Sequence, residues 1–206
     1  MTQNNNISDL TQIDINLLGL IQYKRSPRYV DLKDIDWELL KGTKIKPVAV
    51  FVNNPIEEIR EVLLNTPITT IQLHGKESPS MCKALQNLGY TVIKALGVDS
   101  EFEWLECEKY IDNIDFFLFD TKSIQHGGTG VKFNWDLLHS YPYSTPFFLS
   151  GGISNDDLST LKNNIHPYMI GVDVNSRFEV SPGVKEINDI NTFVNHLRDL
   201  NNVKMV

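Results

Sequence analysis

Apolar residues fall along this chain in short runs separated by longer amphipathic stretches, the pattern of strand and helix in turn. The runs at 17–23, 47–52, 69–74, 91–98, 116–121, 146–150 and 168–174 read as strands. Helical spacing occupies 35–41, 56–65, 78–88, 102–113, 134–140, 155–164 and 186–200, and a further helix is expected at 6–14, ahead of the first strand. Local signals support these limits. Ser78-Pro79 pairs an N-cap with a first-turn proline, Ser154-Asn155-Asp156-Asp157 places acids at a positive helix end, and Gly42 and Gly89 follow helical patterns. The strongest run, Phe116-Phe-Leu-Phe119, does not alternate, as suits a strand covered on both faces.

Strands alternating with helices imply a parallel sheet. Seven strands and eight helices, opening on a helix, match an α/β (βα)8 TIM barrel whose first β-strand is missing from the chain. An open doubly wound sheet is the alternative, but neither GxGxxG nor GxxxxGK[ST] occurs. No Pro/Gly/Ser-rich linker breaks the series, so residues 1–206 are expected to form one barrel domain.

Composition narrows the partners. With 26 acidic and 19 basic residues the net charge is -7, and no basic run marks a nucleic-acid footprint. No apolar run approaches the roughly 18 residues that span a bilayer, and the polar start does not resemble a signal peptide. A cytoplasmic protein without membrane or nucleic-acid partners is expected. Cys82 and Cys107 form no CxxC pair and no metal spacing, so no metal site is expected.

In a barrel the strand ends converge on one face, and here polar and glycine residues gather at those ends. Asp120 closes the Phe116 strand and precedes a long loop with Gly127, Gly128 and Gly130. That setting favours a catalytic carboxylate over a helix cap or an ion pair with Lys122. His74 ends the strand at 69–74 and suits either acid–base work or a neutral hydrogen bond on the rim. Asp173 fits a ligand hydroxyl or a neighbouring amide equally well. Gly151-Gly152 and Asn175-Ser176 end the last two strands, where phosphate sites of this fold lie, although two glycines alone also make a tight turn. Arg28, after Pro27, suits bidentate capture of a carboxylate or a solvated surface position.

Taken together, Lys24-Arg-Ser-Pro-Arg-Tyr29, Val50-Phe-Val-Asn53, Gln72-Leu-His-Gly75, Val92-Ile-Lys-Ala95, Asp120-Thr-Lys122, Gly127-Gly-Thr-Gly130, Phe133-Asn-Trp135, Leu149-Ser-Gly-Gly152, Gly171-Val-Asp-Val174 and Ser181-Pro-Gly183 closely resemble the phosphoribosylanthranilate isomerases. The match runs in order from about residue 5 to the carboxyl end. The resemblance implies a cofactor-independent isomerase of tryptophan biosynthesis, a monomer or homodimer acting on a small phosphorylated substrate. Its reaction is the Amadori rearrangement of N-(5-phosphoribosyl)anthranilate to 1-(2-carboxyphenylamino)-1-deoxyribulose 5-phosphate. It also implies that Asp120 protonates the furanose ring oxygen, that a cysteine at the end of the first strand removes the C2 proton, and that Arg28 faces the anthranilate carboxylate. His74 and Asp173 would contact substrate, Gly151, Gly152, Asn175 and Ser176 would hold the phosphate, and Gly127 and Gly128 would cover the site.

The chain departs from that pattern at its start. The family opens on a strand ending in Lys-[Ile/Val]-Cys-Gly, and Met1 falls just after the position of that Cys-Gly. An internal methionine taken as the start is the expected explanation, ahead of a shortened chain or a lineage that lost the strand. The chain as written is expected to be impaired without that cysteine. A non-catalytic barrel binding a phosphorylated ligand, or another phosphosugar isomerase or epimerase, are the competing readings. Arg177, where many relatives carry glycine, is a second departure of undecided role.

Overall fold

A computed structural model describes residues 1–122 and 132–198, and the backbone of Lys204–Met205. The sheet is built from β1 (Leu17–Ile21), β2 (Lys46–Phe51), β3 (Thr70–Leu73), β4 (Thr91–Val98), β5 (Phe116–Thr121), β6 (Phe147–Leu149) and β7 (Met169–Val172), all parallel and each beside its predecessor. The seven strands predicted from the apolar runs are these seven. Helices lie between them, as connections between parallel strands require. The α-helices are α1 (Asn4–Leu10), α2 (Ile56–Leu63), α3 (Pro79–Asn87), α4 (Leu105–Glu108), α5 (Leu158–Asn163) and α6 (Ile187–Arg198).

Alternation along the strands splits the core in two. Val48, Ile93, Ala95, Leu118 and Phe148 form an inner cluster with Leu17, Phe116 and Ile170 against it. Their neighbours Ala49, Val92, Phe117, Phe119, Phe147 and Leu149 belong to a larger outer cluster with Ile59, Leu85 and Phe193 from the helices. Two apolar layers on opposite faces of one curled parallel sheet are the anatomy of a (βα)8 barrel. A register shift at Phe147/Phe148 sets Gly171 opposite Phe148 and leaves Ile170 as the extra residue of β7.

Several helices are shorter than their patterns predict. The segment at 35–41 is a 3-10 turn, Trp37–Leu40, capped by Asp36, and that at 134–140 is a 3-10 helix, Trp135–Ser140, capped by Asn134. Within 102–113 only α4 and a 3-10 turn at Ile111–Asn113 form. Phe102 and Trp104 there pack edge-on against Phe119, so ring packing displaces regular helix.

Three strands lie outside the predicted set. β8 (Glu179–Ser181) and β9 (Val184–Lys185) form an antiparallel hairpin turned at Gly183, whose φ is +84°. β10 (Lys204–Met205) pairs parallel with β7, Lys204 opposite Gly171, so the sheet runs β1 to β7 and then β10. At the other edge the Met1 nitrogen donates to the Gly19 carbonyl of β1, and Thr2 N–H donates to the Gly183 carbonyl. The hairpin therefore bridges the two ends of the sheet. It is bolted to α1 by Asn6, which donates to the Lys185 carbonyl and accepts from the Lys185 amide.

Candidate active site

Inward positions recur every second residue, so the site is the next layer above the inner apolar cluster. Phe116 and Leu118 face inward, and Asp120 continues that series. On β6, Phe148 is followed in the same way by Ser150. On β3, Gln72 is followed by His74, and beyond the β7 shift Gly171 is followed by Asp173. The amides of His74, Ser150 and Asp173 donate to the carbonyls of Phe51, Phe119 and Leu149, so each ladder runs one step past its strand and fixes these backbones on the rim.

Asp120 is the hub. Its Oδ2 lies 3.2 Å from His74 Nε2, and its Oδ1 accepts from the Thr121 amide at 2.8 Å. Both side chains remain about one third open to solvent, at 30% for Asp120 and 33% for His74. Lys122, the ion-pair partner considered from sequence, is bound instead to Asp99. Gly151 presses on the same carboxylate: with φ at +100°, a Cβ there would lie 2.3 Å from Thr121 Oγ1 and 3.0 Å from Asp120 Oδ1. Only glycine satisfies both the backbone angle and the approach. Gly152 also has positive φ, at +68°. Gly97, opposite Asp120 on β4, is exposed, and a Cβ there would meet Lys122 at 3.4 Å.

Asp173 accepts from Ser150 Oγ at 3.0 Å. Burial, reinforced by the nearby Asp120 carboxylate, pushes its pKa above the usual carboxylate range despite Lys185, Ser150 and His74. The rim thus carries two carboxylates whose surroundings differ.

Arg28 does not stand free. Its Nε and Nη2 hold Glu179 in a bidentate pair, Nη2 to Oε2 at 2.6 Å, with the Glu179 side chain only 4% exposed. Burial works against the Glu179 charge, but Arg28, Lys185 and the Gly183 amide outweigh it and hold the carboxyl below its usual range. Lys185 reaches Asn175 Oδ1 at 2.8 Å, and burial pulls its ammonium below the usual lysine range in spite of Glu179 and Asp173. Asn175 and Ser176 are exposed at the start of a 3-10 turn, Ser176–Phe178, which also carries the exposed Arg177. The structure therefore gathers His74, Asp120, Ser150, Gly151 and Asp173 in one layer, with Arg28 tied to the hairpin. Gly127 and Gly128 lie outside the described residues.

Sequence reasoning missed Glu179, Lys185, Ser150 and Gln72. The Pro182-Gly183 pair between Glu179-Val-Ser and Val184-Lys is a turn signal that would have revealed the hairpin. Behind β3 lies a further unforeseen pair, Lys94–Glu77, each side chain 1% exposed, with Lys94 also donating to the carbonyls of Leu73 and Gly75. Glu77 in turn accepts from the amides of Asn53 and Gly75. Among the described residues no group of three or more His, Cys, Asp or Glu is placed to hold a metal ion. No helix among them is long and apolar enough to cross a membrane. Cys82 and Cys107 are fully buried in the outer layer, their thiols pushed up by burial to about 11 and about 12.

Comparison with known proteins places this arrangement. The family model described as N-(5'-phosphoribosyl)anthranilate (PRA) isomerase matches residues 1–196. The chain belongs to this family. It is 36% identical over 199 residues to the N-(5'-phosphoribosyl)anthranilate isomerase of Parabacteroides distasonis, covering 96% of this chain and 90% of that one. It is 35% identical to the enzyme of the same name from Phocaeicola vulgatus, covering 96% and 95% of the two chains. Among solved structures, phosphoribosyl anthranilate isomerase from Thermotoga maritima superposes with a TM-score of 0.80 at 27% identity, over 97% of this chain and 96% of that one. Another family structure, solved with reduced 1-(o-carboxyphenylamino)-1-deoxyribulose 5-phosphate, gives 0.76 at 25% identity over 97% and 95%. The barrel read from the alternation is the fold of these isomerases. The Thermotoga maritima protein is also described as dimeric.

Proposed function

We propose that this chain acts on N-(5-phosphoribosyl)anthranilate in tryptophan biosynthesis and that Asp120 is the acid of its Amadori rearrangement. The observation that carries the reading is Asp120 itself. It heads the inward series of β5, open to solvent, with one oxygen against His74 and the other beneath Gly151. Asp120 gives its proton to the ring oxygen, the furanose opens to the Schiff base, and loss of the C2 proton yields the enolamine that tautomerises to the ketone. Asp173 contacts a sugar hydroxyl, and the positive-φ loop at Gly151-Gly152 together with Asn175-Ser176 takes the phosphate. Glu179 fixes the plane of the Arg28 guanidinium through Nε and Nη2, and Nη1 takes no part in that pair, which suits it to the anthranilate carboxylate.

The thiol base implied by the family resemblance has no counterpart among the described rim residues, because Cys82 and Cys107 are sealed in the outer layer. Turnover is tested with the purified chain, alone and preceded by Lys-Ile-Cys-Gly. The added segment is expected to raise kcat, and Asp120→Asn to lower it by about 10²–10⁴-fold in the faster form. An Asp120→Asn variant as fast as its parent in both forms overturns the assignment. A non-catalytic phosphate-binding barrel is left if neither form turns over while both still bind the reduced product analogue.

A further inference from the structure

A carboxamide nitrogen can only donate. In the orientation that the Gln72 carboxamide takes here, Nε2 lies 2.9 Å from His74 Nδ1, and that ring nitrogen then presents a lone pair. The remaining proton of the neutral imidazole then resides on Nε2, which faces Asp120 Oδ2 at 3.2 Å. Gln72 and His74 are two apart, one ending the inward face of β3 and the other just beyond it, so a single pleat aligns the three groups. Gln72 is buried.

We propose that Gln72 is a positioning residue for the acid step. Its N–H holds His74 as the neutral Nε2–H form, and His74 in turn donates to Asp120 and steadies the carboxylate left once the proton has gone. The proposal rests on the reading of Asp120 as the acid, but the state of the His74 ring is measurable without it. His74 is never the base here: the nitrogen turned toward Asp120 already carries its proton. One open alternative for His74 in the sequence, the neutral rim histidine, is thereby given a task.

Gln72→Glu tests this by reversing the partner. A carboxylate can only accept, so the introduced side chain draws a proton to His74 Nδ1. The charged groups facing the ring are then that new carboxylate from β3, Asp120 from β5 and Asp173 from the end of β7; Lys94 and Glu77 lie on the outer face of the sheet. While the ring is an imidazolium it donates from both nitrogens and Asp120 keeps its donor. Once it loses a proton, Nε2 is left bare against the Asp120 carboxylate. The variant therefore loses kcat as pH rises through the imidazole titration, a limb that the parent lacks because its neutral form already holds the proton on Nε2.

The experiment combines ¹⁵N spectra of the histidine rings, with His74 assigned by His74→Asn, and pH profiles for the parent, Gln72→Glu and Gln72→Leu. On the alkaline side the parent is expected to show Nε2–H, Gln72→Glu to show Nδ1–H, and Gln72→Leu a mixture. The kcat of Gln72→Glu is expected to fall about 10–100-fold below the parent there, with KM nearly unchanged and most of the loss recovered at lower pH. An Nδ1–H ring in the parent overturns the proposal, as does a Gln72→Glu profile that parallels the parent across the range. Asp120→Asn separates the two claims. If it retains the parent's turnover while the ring states follow Gln72 as described, the acid assignment fails and the tautomer lock stands.

Discussion

The two sides of the barrel are joined in different ways. Around β3, β4 and β5 the backbone ladder is unbroken, β4 pairing with β5 through six successive residues from Ile93 to Val98. Behind it the Lys94–Glu77 pair is fully sealed and satisfied by main-chain groups on both partners. At the seam between the two ends of the sheet only Met1 and Thr2 add main-chain bonds, to Gly19 and Gly183, among the described residues. Ionic and polar side chains carry much of the connection: Arg28 to Glu179, Lys185 to Glu179 and Asn175, and Asn6 to Lys185. His74 and Asp120 stand on the first side, and Arg28 and the Asn175-Ser176 turn on the second. The proposed acid and its histidine are thus mounted on the continuous ladder, while the groups proposed to hold the substrate's two charged ends are mounted on the ionic clasp.

Breaking the sealed pair is expected to have the largest effect on stability. Lys94→Met leaves Glu77 charged and buried among amides, at a cost of about 3–5 kcal/mol in urea unfolding, nearly independent of salt. At the seam, Glu179→Ala removes the clasp but leaves Arg28 access to water. A loss of about 2 kcal/mol is expected, shrinking as salt is added, with KM rising more than kcat falls. Equal salt dependence for the two variants would dissolve the contrast.

A smaller effect of opposite sign is expected at Asp173. Because its pKa is raised in the fold, its contribution to stability is complete below the ordinary carboxylate pKa and is lost as pH rises through the folded value. Asp173→Asn escapes that loss. It is expected to unfold later than the parent by about 0.5–2 kcal/mol at pH 7, with the difference closing in acid. A destabilised Asp173→Asn at neutral pH would show that its bond with Ser150 outweighs its burial.

Legibility in the sequence follows the same division. Asp120, His74, Asp173 and Gly151 could be found because each lies at or just beyond the end of an apolar strand, and strand parity gives the direction of the three side chains. Arg28's partner could not, since Glu179 lies 151 residues away in a hairpin whose strands, at three and two residues, are too short to leave an alternating pattern. Lys94 illustrates a different failure. Inside an apolar run a lysine reads as an interruption, and only the fold shows Glu77 and two carbonyls awaiting it. The segments at 35–41 and 134–140 differ in type from their patterns because caps at Asp36 and Asn134 start 3-10 turns as readily as α-helices. β10 offered two residues and no pattern at all.

Of the two rim carboxylates, Asp120 is assigned as the acid and Asp173 as a substrate contact. The most direct test is steady-state turnover of N-(5-phosphoribosyl)anthranilate by Asp120→Asn and Asp173→Asn, both in the chain preceded by Lys-Ile-Cys-Gly. Asp120→Asn is expected to lose about 10²–10⁴-fold in kcat with KM little changed, and Asp173→Asn to act chiefly through KM. The reverse pattern, with kcat collapsing in Asp173→Asn and surviving in Asp120→Asn, would contradict that assignment.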